Sequence, residues 1–307
     1  MRDRYAPNGL MHFGQGKWYP GEQLPRWSLN CFWRKDGEPV WENPALYADE
    51  NVDYGVDESH AQRFLQRVAE KLGLSGEHIF PGFEDVYYYL WRERRLPVNV
   101  DPFEARLDDP LERARLAKVF GDGLTHTVGH VLPITRSFGQ WQTGPWFLRG
   151  ERCYLIPGDS PMGYRLPLDS QPWAAKSDYP YQHPRDPAEP LAPLPARAAL
   201  RQQPGVKLSS KLPDSRQRPS LQQSANWITR SALCAQPRDG RLYLFMPPLQ
   251  YLEAYLELVA AIEAAAAELQ LPVVLEGYEP PPDSRLTHFR VTPDPGVIEV
   301  NIHPAKS

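Results

Sequence analysis

The stretch RLYLFMPPLQYLEAYLELVAAIEAAAAELQLPVVLEG, Arg241 to Gly277, decides the architecture. Its first six residues alternate, so Leu242, Leu244 and Met246 share one face of a strand expected over Arg241–Met246. After Pro247 and Pro248 the period changes. Leu252, Tyr255, Leu256, Val259, Ile262, Ala266 and Leu269 recur at helical spacing, opposite Glu253, Glu257 and Glu268, which predicts an amphipathic helix. An apolar run from Val273 predicts a strand over Val273–Tyr278. Further strands are expected at Arg285–Val291 and Val297–His303, with Pro280-Pro281-Pro282-Asp283 and Pro293-Asp294-Pro295-Gly296 as the turns. The order strand, helix, strand, strand, strand predicts an α+β fold: a partly antiparallel sheet with packed helices.

Upstream, Ala61, Phe64, Leu65, Val68 and Leu72 have helical spacing behind Asp57 or Ser59 as N-cap, with Gly73 placed to end the helix. A second helix is expected from Asp109 and Pro110 through Leu111–Phe120 to Gly121. The segments RLPVNV, HVLPIT and RCYLIP read as short strands and loops. From 170 to 224 the chain is rich in Pro, Gln, Ser and Arg with little apolar period, so it reads as a linker or long excursion, on which Trp173, Tyr179 and Tyr181 are candidates for docking. The expected organisation is an aromatic-rich N-terminal portion at 1–169, that excursion at 170–224, and a strand-helix-strand portion at 225–307.

The 34 Lys and Arg residues against 38 Asp and Glu leave a net charge of −4, which disfavours nucleic acid as a partner. The 34 prolines in 307 residues are about twice the roughly 5% usual in proteins, and they exclude long helical bundles. Cys31, Cys153 and Cys234 are too scattered for a CxxC metal site or a disulfide framework. The most apolar long stretch, Leu249 to Leu275, is interrupted by Glu253, Glu257, Glu263 and Glu268, so no membrane span is expected. The N-terminus lacks the apolar run of a signal peptide, and a cytoplasmic location is the expectation.

The segment Val297-Ile298-Glu299-Val300-Asn301-Ile302-His303 sorts by alternation into Ile298, Val300 and Ile302, expected in the core, and Glu299, Asn301 and His303, which project together. Glu and Asn offer hard oxygens suited to Mg²⁺, and His suits a phosphate or a nucleophile. The same pattern also describes the solvated face of an outer strand. Glu276 ends an apolar strand beside Gly277; if the two strands are neighbours, Glu276 and Glu299 share a divalent cation. Arg285, His288 and Arg290 lie on the intervening strand and offer phosphate-directed charge, although alternation puts Arg285 and Arg290 on opposite faces, and each also fits an ordinary ion pair. The N-terminal Trp18, Trp27, Trp33 and Trp41, with Lys17, Arg26 and Arg34, suit either a peptide groove or an aromatic core. Gly14-Gln15-Gly16-Lys17 is not a phosphate loop, because the leading glycine and the Ser or Thr after Lys are missing.

The segments GLMHFGQGKWYPGEQLPRW, IPGDSPMGYRLPLDSQPW, RDGRLYLFMPPL and VTPDPGVIEVNIHPAKS resemble the amidoligase region at the C-terminal end of large bacterial transglutaminase-like proteins. The resemblance covers nearly all of the chain outside its Pro-rich middle. It implies part of the carboxylate-amine ligase fold of glutamine synthetase and glutamate-cysteine ligase, and an ATP- and Mg²⁺-dependent reaction that joins a carboxylate to an amine. By the same resemblance, Glu299 and Glu276 correspond to metal-binding glutamates, Arg290 and His303 to catalytic groups, and Asn301 and Arg285 to cofactor-binding groups. The family pattern continues past Ser307 into a glycine-rich Gly-Gly-Gly-Asn-His segment. That segment and a transglutaminase-like domain are therefore expected partners, and the active site is expected to be incomplete here. The implied substrate is a peptide or an amino-acid-like molecule. The competing expectation is a non-catalytic peptide-binding or assembly module.

Overall fold

The computed structural model describes residues 2–20, 26–95, 125–137, 139–179, 190–200 and 216–302, with isolated positions between 114 and 123. The strands are β1 (Leu10–Gln15), β2 (Trp27–Arg34), β3 (Phe80–Glu84), β4 (Thr127–Pro133), β5 (Thr135–Ser137), β6 (Gln140–Gln142), β7 (Cys153–Leu155), β8 (Ala232–Arg238), β9 (Arg241–Met246), β10 (Val273–Gly277), β11 (Leu286–Asp294) and β12 (Val297–Ile302). The longer helices are α1 (Glu58–Lys71), α2 (Val86–Glu93) and α3 (Leu252–Leu269). Ten strands form one sheet in the order β12-β11-β2-β1-β10-β9-β8-β4-β3-β7, and β5 and β6 form a separate hairpin. The large sheet is mostly antiparallel, with β1, β10 and β9 as a parallel trio and β7 parallel to β3.

The expected strand-helix-strand unit is β9, α3 and β10. Leu242, Leu244 and Met246 are all buried on one face of β9. Helix α1 begins as its sequence directs: the Asp57 carboxylate accepts from the Ser59 and His60 amides, and Gly73 takes a positive φ just past the end. Helices α1 and α3 cover one face of the sheet, where Phe64, Leu65 and Val68 pack with Leu132, Leu233, Leu244 and Tyr255. The helix expected around 111–120 lies outside the described residues save for isolated positions.

Two carboxylates of α3 are buried. Glu257, expected on the solvent side, accepts from Arg136 and from Trp141 Nε1 (3.0 Å) on the β5–β6 hairpin. Glu263 accepts the Glu42 and Asn43 amides at 2.7 Å each and pairs with Arg197. The charges are tolerated inside because each meets a guanidinium or backbone donors. Arg197 belongs to the Pro-rich stretch, whose described part docks through Leu194, Arg197 and Leu200, while Trp173 and Tyr179 stay exposed and Tyr181 lies outside the described residues.

The N-terminal and C-terminal portions share one sheet: β1 pairs with β10, and β2 pairs with β11. A further correction concerns β12. Ile298 and Ile302 are each 67% exposed and Val300 42%, so the expected core face of this strand is open. Alternation identifies two faces but not which one another layer covers, and β12 is the sheet's edge. Among the described residues no helix is long and apolar enough to cross a membrane.

Candidate functional site

Opposed residues on neighbouring strands point to the same face, so the register fixes what shares a surface. On the face covered by the helices, the side chains change from apolar to polar along each strand. Strand β1 runs Leu10, His12, Gly14; β2 runs Phe32, Asn30, Ser28; β11 runs Leu286, His288, Arg290, Thr292. Pairing lines them up: His12 opposes Asn30, Asn30 opposes Arg290, and Arg290 opposes Asn301 of β12. The next rung carries Gly14 with Ser28, and Thr292 with Glu299. The result is a polar row across four strands, centred on β11 and β2.

Glu279, just past β10, ties the row together. Its Oε1 accepts from Asn30 Nδ2 at 2.8 Å and its Oε2 pairs with Arg290, while Ser28 Oγ donates to Asn30 Oδ1 at 2.6 Å. Gly14 leaves room for this group, since a Cβ there would sit 2.7 Å from Asn30 Nδ2 and 3.1 Å from Glu279 Oε1. Arg290 Nε and Thr292 Oγ1 are buried without a hydrogen-bond partner, and the buried His12 ring lies against the backbone of Glu276 and Tyr278. Such atoms are rare in folded proteins and call for a ligand or water. Burial lowers the His12 pKa to about 4, against the nearby backbone of Glu276 and Tyr278, so the ring is neutral at pH 7. A cleft of about 600 Å³ opens beside the row, lined by Phe32, Tyr278, Glu279, His288 and Arg290.

The segment Gly16–Tyr19 crosses to the β11–β12 hairpin. Lys17 Nζ contacts Glu299 Oε2 at 2.5 Å, a bond that raises the lysine pKa, and Tyr19 and Arg26 both reach Asp294 Oδ1 at 3.1 Å. Arg26 also stacks over the Tyr19 ring. The two most distinctive sequence segments, near residue 17 and near residue 297, are thus one spatial unit.

The family model described as "Putative amidoligase enzyme (DUF2126)" matches residues 1–307. The chain belongs to this amidoligase family. That description supports a ligase-type role and specifies neither substrate nor nucleotide. No curated protein and no solved structure matches the chain.

In this amidoligase chain Glu276 and Glu299 do not share a cation. Strands β1, β2 and β11 stand between β10 and β12, a separation of about 19 Å at ~4.8 Å per strand. They also point to opposite faces, because Glu276 shares its face with Phe13, Leu29, Val291 and Val300. Glu276 is buried and paired with Arg238; burial raises its pKa and the guanidinium opposes that rise. Arg290 and Asn301 face each other in the polar row. Arg285 stands apart, its guanidinium engaged by Asp283, Glu253 and the Ala192 carbonyl. His303 lies outside the described residues. Among the described residues no group of three or more His, Cys, Asp or Glu side chains converges as for a metal.

Sequence reasoning missed His12; the signal for it is the alternation in Leu10-Met11-His12-Phe13-Gly14, which turns the ring to the same side as Leu10. The partners Asn30 and Glu279 carried no such signal, because their contact spans 249 positions. The amidoligase chain's three thiols are buried, which pushes Cys31 up to about 11, Cys153 up to about 12 and Cys234 well above its ordinary value and so disfavours the thiolate.

Proposed function

We propose that the chain carries the acyl-activating site of an ATP- and Mg²⁺-dependent carboxylate-amine ligase, acting on a peptide or amino-acid-like substrate. The observation that carries this reading is the row His12, Asn30, Arg290 and Asn301, in which the Arg290 guanidinium and the exposed Asn301 amide stand beside an open cleft. An anionic, oxygen-rich group such as a phosphate fits donors of this kind.

In such a reaction the substrate carboxylate oxygen attacks the terminal phosphorus of ATP, giving an acyl phosphate and ADP. The amine nitrogen then attacks the acyl carbon, the amide forms, and phosphate leaves. Arg290 supplies fixed positive charge where phosphate charge develops, and Glu279 holds its guanidinium at the row. Asn30 and Asn301 flank it with amide groups, and the neutral ring of His12 adds no competing charge. Glu279 and Glu299 would each give hard carboxylate oxygens to a Mg²⁺ held mainly by substrate phosphates, on exchanging their present pairing with Arg290 or Lys17. The chemistry such an ion would supply is neutralisation of phosphate charge. Lys17 holds the Glu299 carboxylate on the edge strand β12.

Isothermal titration of ATP, with and without Mg²⁺, into the chain and into its Arg290→Gln and Glu299→Gln variants tests the reading. Magnesium-dependent binding that both variants weaken is expected. Nucleotide binding that ignores both substitutions overturns the assignment, and a folded chain that binds peptide but no nucleotide favours the binding-module alternative.

A further inference from the structure

A second cleft, of about 340 Å³, lies on the sheet face opposite the polar row. Its walls are aromatic: Phe13 of β1, Trp27 of β2, Tyr243 of β9, and Tyr164 from the loop at 157–166. That loop is seated by Gly163, where a Cβ would fall 2.0 Å from the Phe245 ring, and by Arg165, which donates to the Ile156 carbonyl at 2.8 Å. Rings with this much exposed surface, Trp27 at 50% and Phe13 at 40%, offer flat apolar contact.

Glu276 and Arg238 also line this cleft. The Arg238 guanidinium lies 3.6 Å from the centre of the Tyr243 ring and donates a terminal nitrogen to Glu276 Oε2. Its Nε is buried and has no acceptor. Glu276 is buried, whereas Arg238 keeps 28% of its side chain exposed at the cleft, where its remaining N–H groups can meet a ligand acceptor. Charged side chains lining the cleft comprise Arg26 and Arg238 against Glu50, Asp159 and Glu276, a balance that opposes a multiply charged anion. A carboxylate matched to Arg238, next to an ammonium matched to Glu276 and the aromatic faces, satisfies both signs.

We infer that this second cleft is a binding site for a free zwitterionic α-amino acid, its carboxylate on Arg238, its ammonium on Glu276, and its side chain against Phe13, Trp27 and Tyr164. The two clefts share Gln15, Tyr164 and Gly277 and so meet at the carboxyl ends of β1 and β10. Ligands in open sheets favour that end of parallel strands. Binding of the amino acid stands by itself; its role as the amine donor rests on the ligase reading.

The test titrates each of the twenty standard α-amino acids into the full chain without nucleotide, by calorimetry and by Trp fluorescence. The best binder is then compared with its carboxamide and its N-acetyl derivative. Saturable binding of the free amino acid is expected, with about tenfold weaker binding of both derivatives, the loss typical of one charge-assisted contact. Arg238→Gln is expected to weaken the amino acid by about tenfold or more, and Arg290→Gln to leave it unchanged. Because Arg238→Gln strands a buried carboxylate, the double variant Arg238→Gln with Glu276→Gln, checked for a cooperative melt, repeats the measurement. No binder in the panel, equal binding of the three forms, or full affinity in the folded double variant overturns the site. Amino-acid binding without any ATP binding leaves the site standing and removes the ligase reading.

Discussion

Asn30 donates its side-chain amide to Oε1 of Glu279 at 2.8 Å, although the two residues are 249 positions apart. The same carboxylate pairs with Arg290, so one residue beyond the end of β10 fixes two members of the polar row. Glu279→Ala is expected to cost about 1–3 kcal/mol, because it leaves a buried amide and a guanidinium without their acceptor. Glu279→Gln keeps the bond to Asn30 and is expected to recover part of that loss. Urea denaturation of the two variants measures the difference; equal stability to the unmodified chain would show that Glu279 does not organise the row.

Gly14 is the steric counterpart of that bond. A methyl group at 2.7 Å from Asn30 Nδ2 forces the amide to move, and the neighbouring side chains are buried, so relief is limited. Gly14→Ala is expected to destabilise by about 1–3 kcal/mol and to shift the Asn30 side-chain amide signals in an NMR spectrum. A variant with native stability and unshifted signals counts against the packing described.

The pH dependence follows from His12. Its pKa falls from 6.5 to about 4 on folding, so between those values the unfolded chain holds a proton that the folded chain does not. Stability from this residue is complete above about pH 6.5, is lost as pH falls toward about 4, and then levels off. The span corresponds to an amount on the order of 3 kcal/mol. Denaturation midpoints of the unmodified chain and of His12→Gln, measured across that window, are expected to converge as pH falls; parallel curves refute the assignment.

Arg197 and Glu263 form a pair with almost no solvent access, joining the Pro-rich stretch to α3. Arg197→Leu alone is expected to cost about 3–5 kcal/mol, since a carboxylate is left inside without its partner. The double change Arg197→Leu with Glu263→Gln is expected to be milder, because the stranded charge is gone while the amide oxygen still accepts from Glu42 and Asn43. A thermal-melt double-mutant cycle with additive losses would contradict the coupling.

Where one periodicity dominated, the fold was legible: β9, α3 and β10 follow from alternation, helical spacing and an apolar run. Strands β1 and β2 were hidden by Gly14, Gly16 and the tryptophans, which read equally as turns and as core. Charge alone misplaced Glu257, because a carboxylate on a helix reads as solvent-facing until Arg136 is seen beneath it. Ile298 and Ile302 show the converse error, apolar residues on an uncovered edge. Alternation put Asn301 beside Glu299 and the resemblance singled out Arg290, and the register sets Arg290 opposite Asn301. Glu279, Asn30 and Ser28 were not singled out, since only the meeting of distant strands gives them a common role.

The placement of β1 between β10 and β2 bears on biosynthesis. Phe13 waits for Glu276, its parallel neighbour, through 263 intervening steps of elongation. At ~5–20 residues per second a ribosome takes roughly 13–50 s over that distance. Throughout that interval the β1–β2 hairpin, in which Phe13 already opposes Leu29, lacks the strand on its other side. This topology keeps the central parallel pairing of the sheet from closing until β10 has been made.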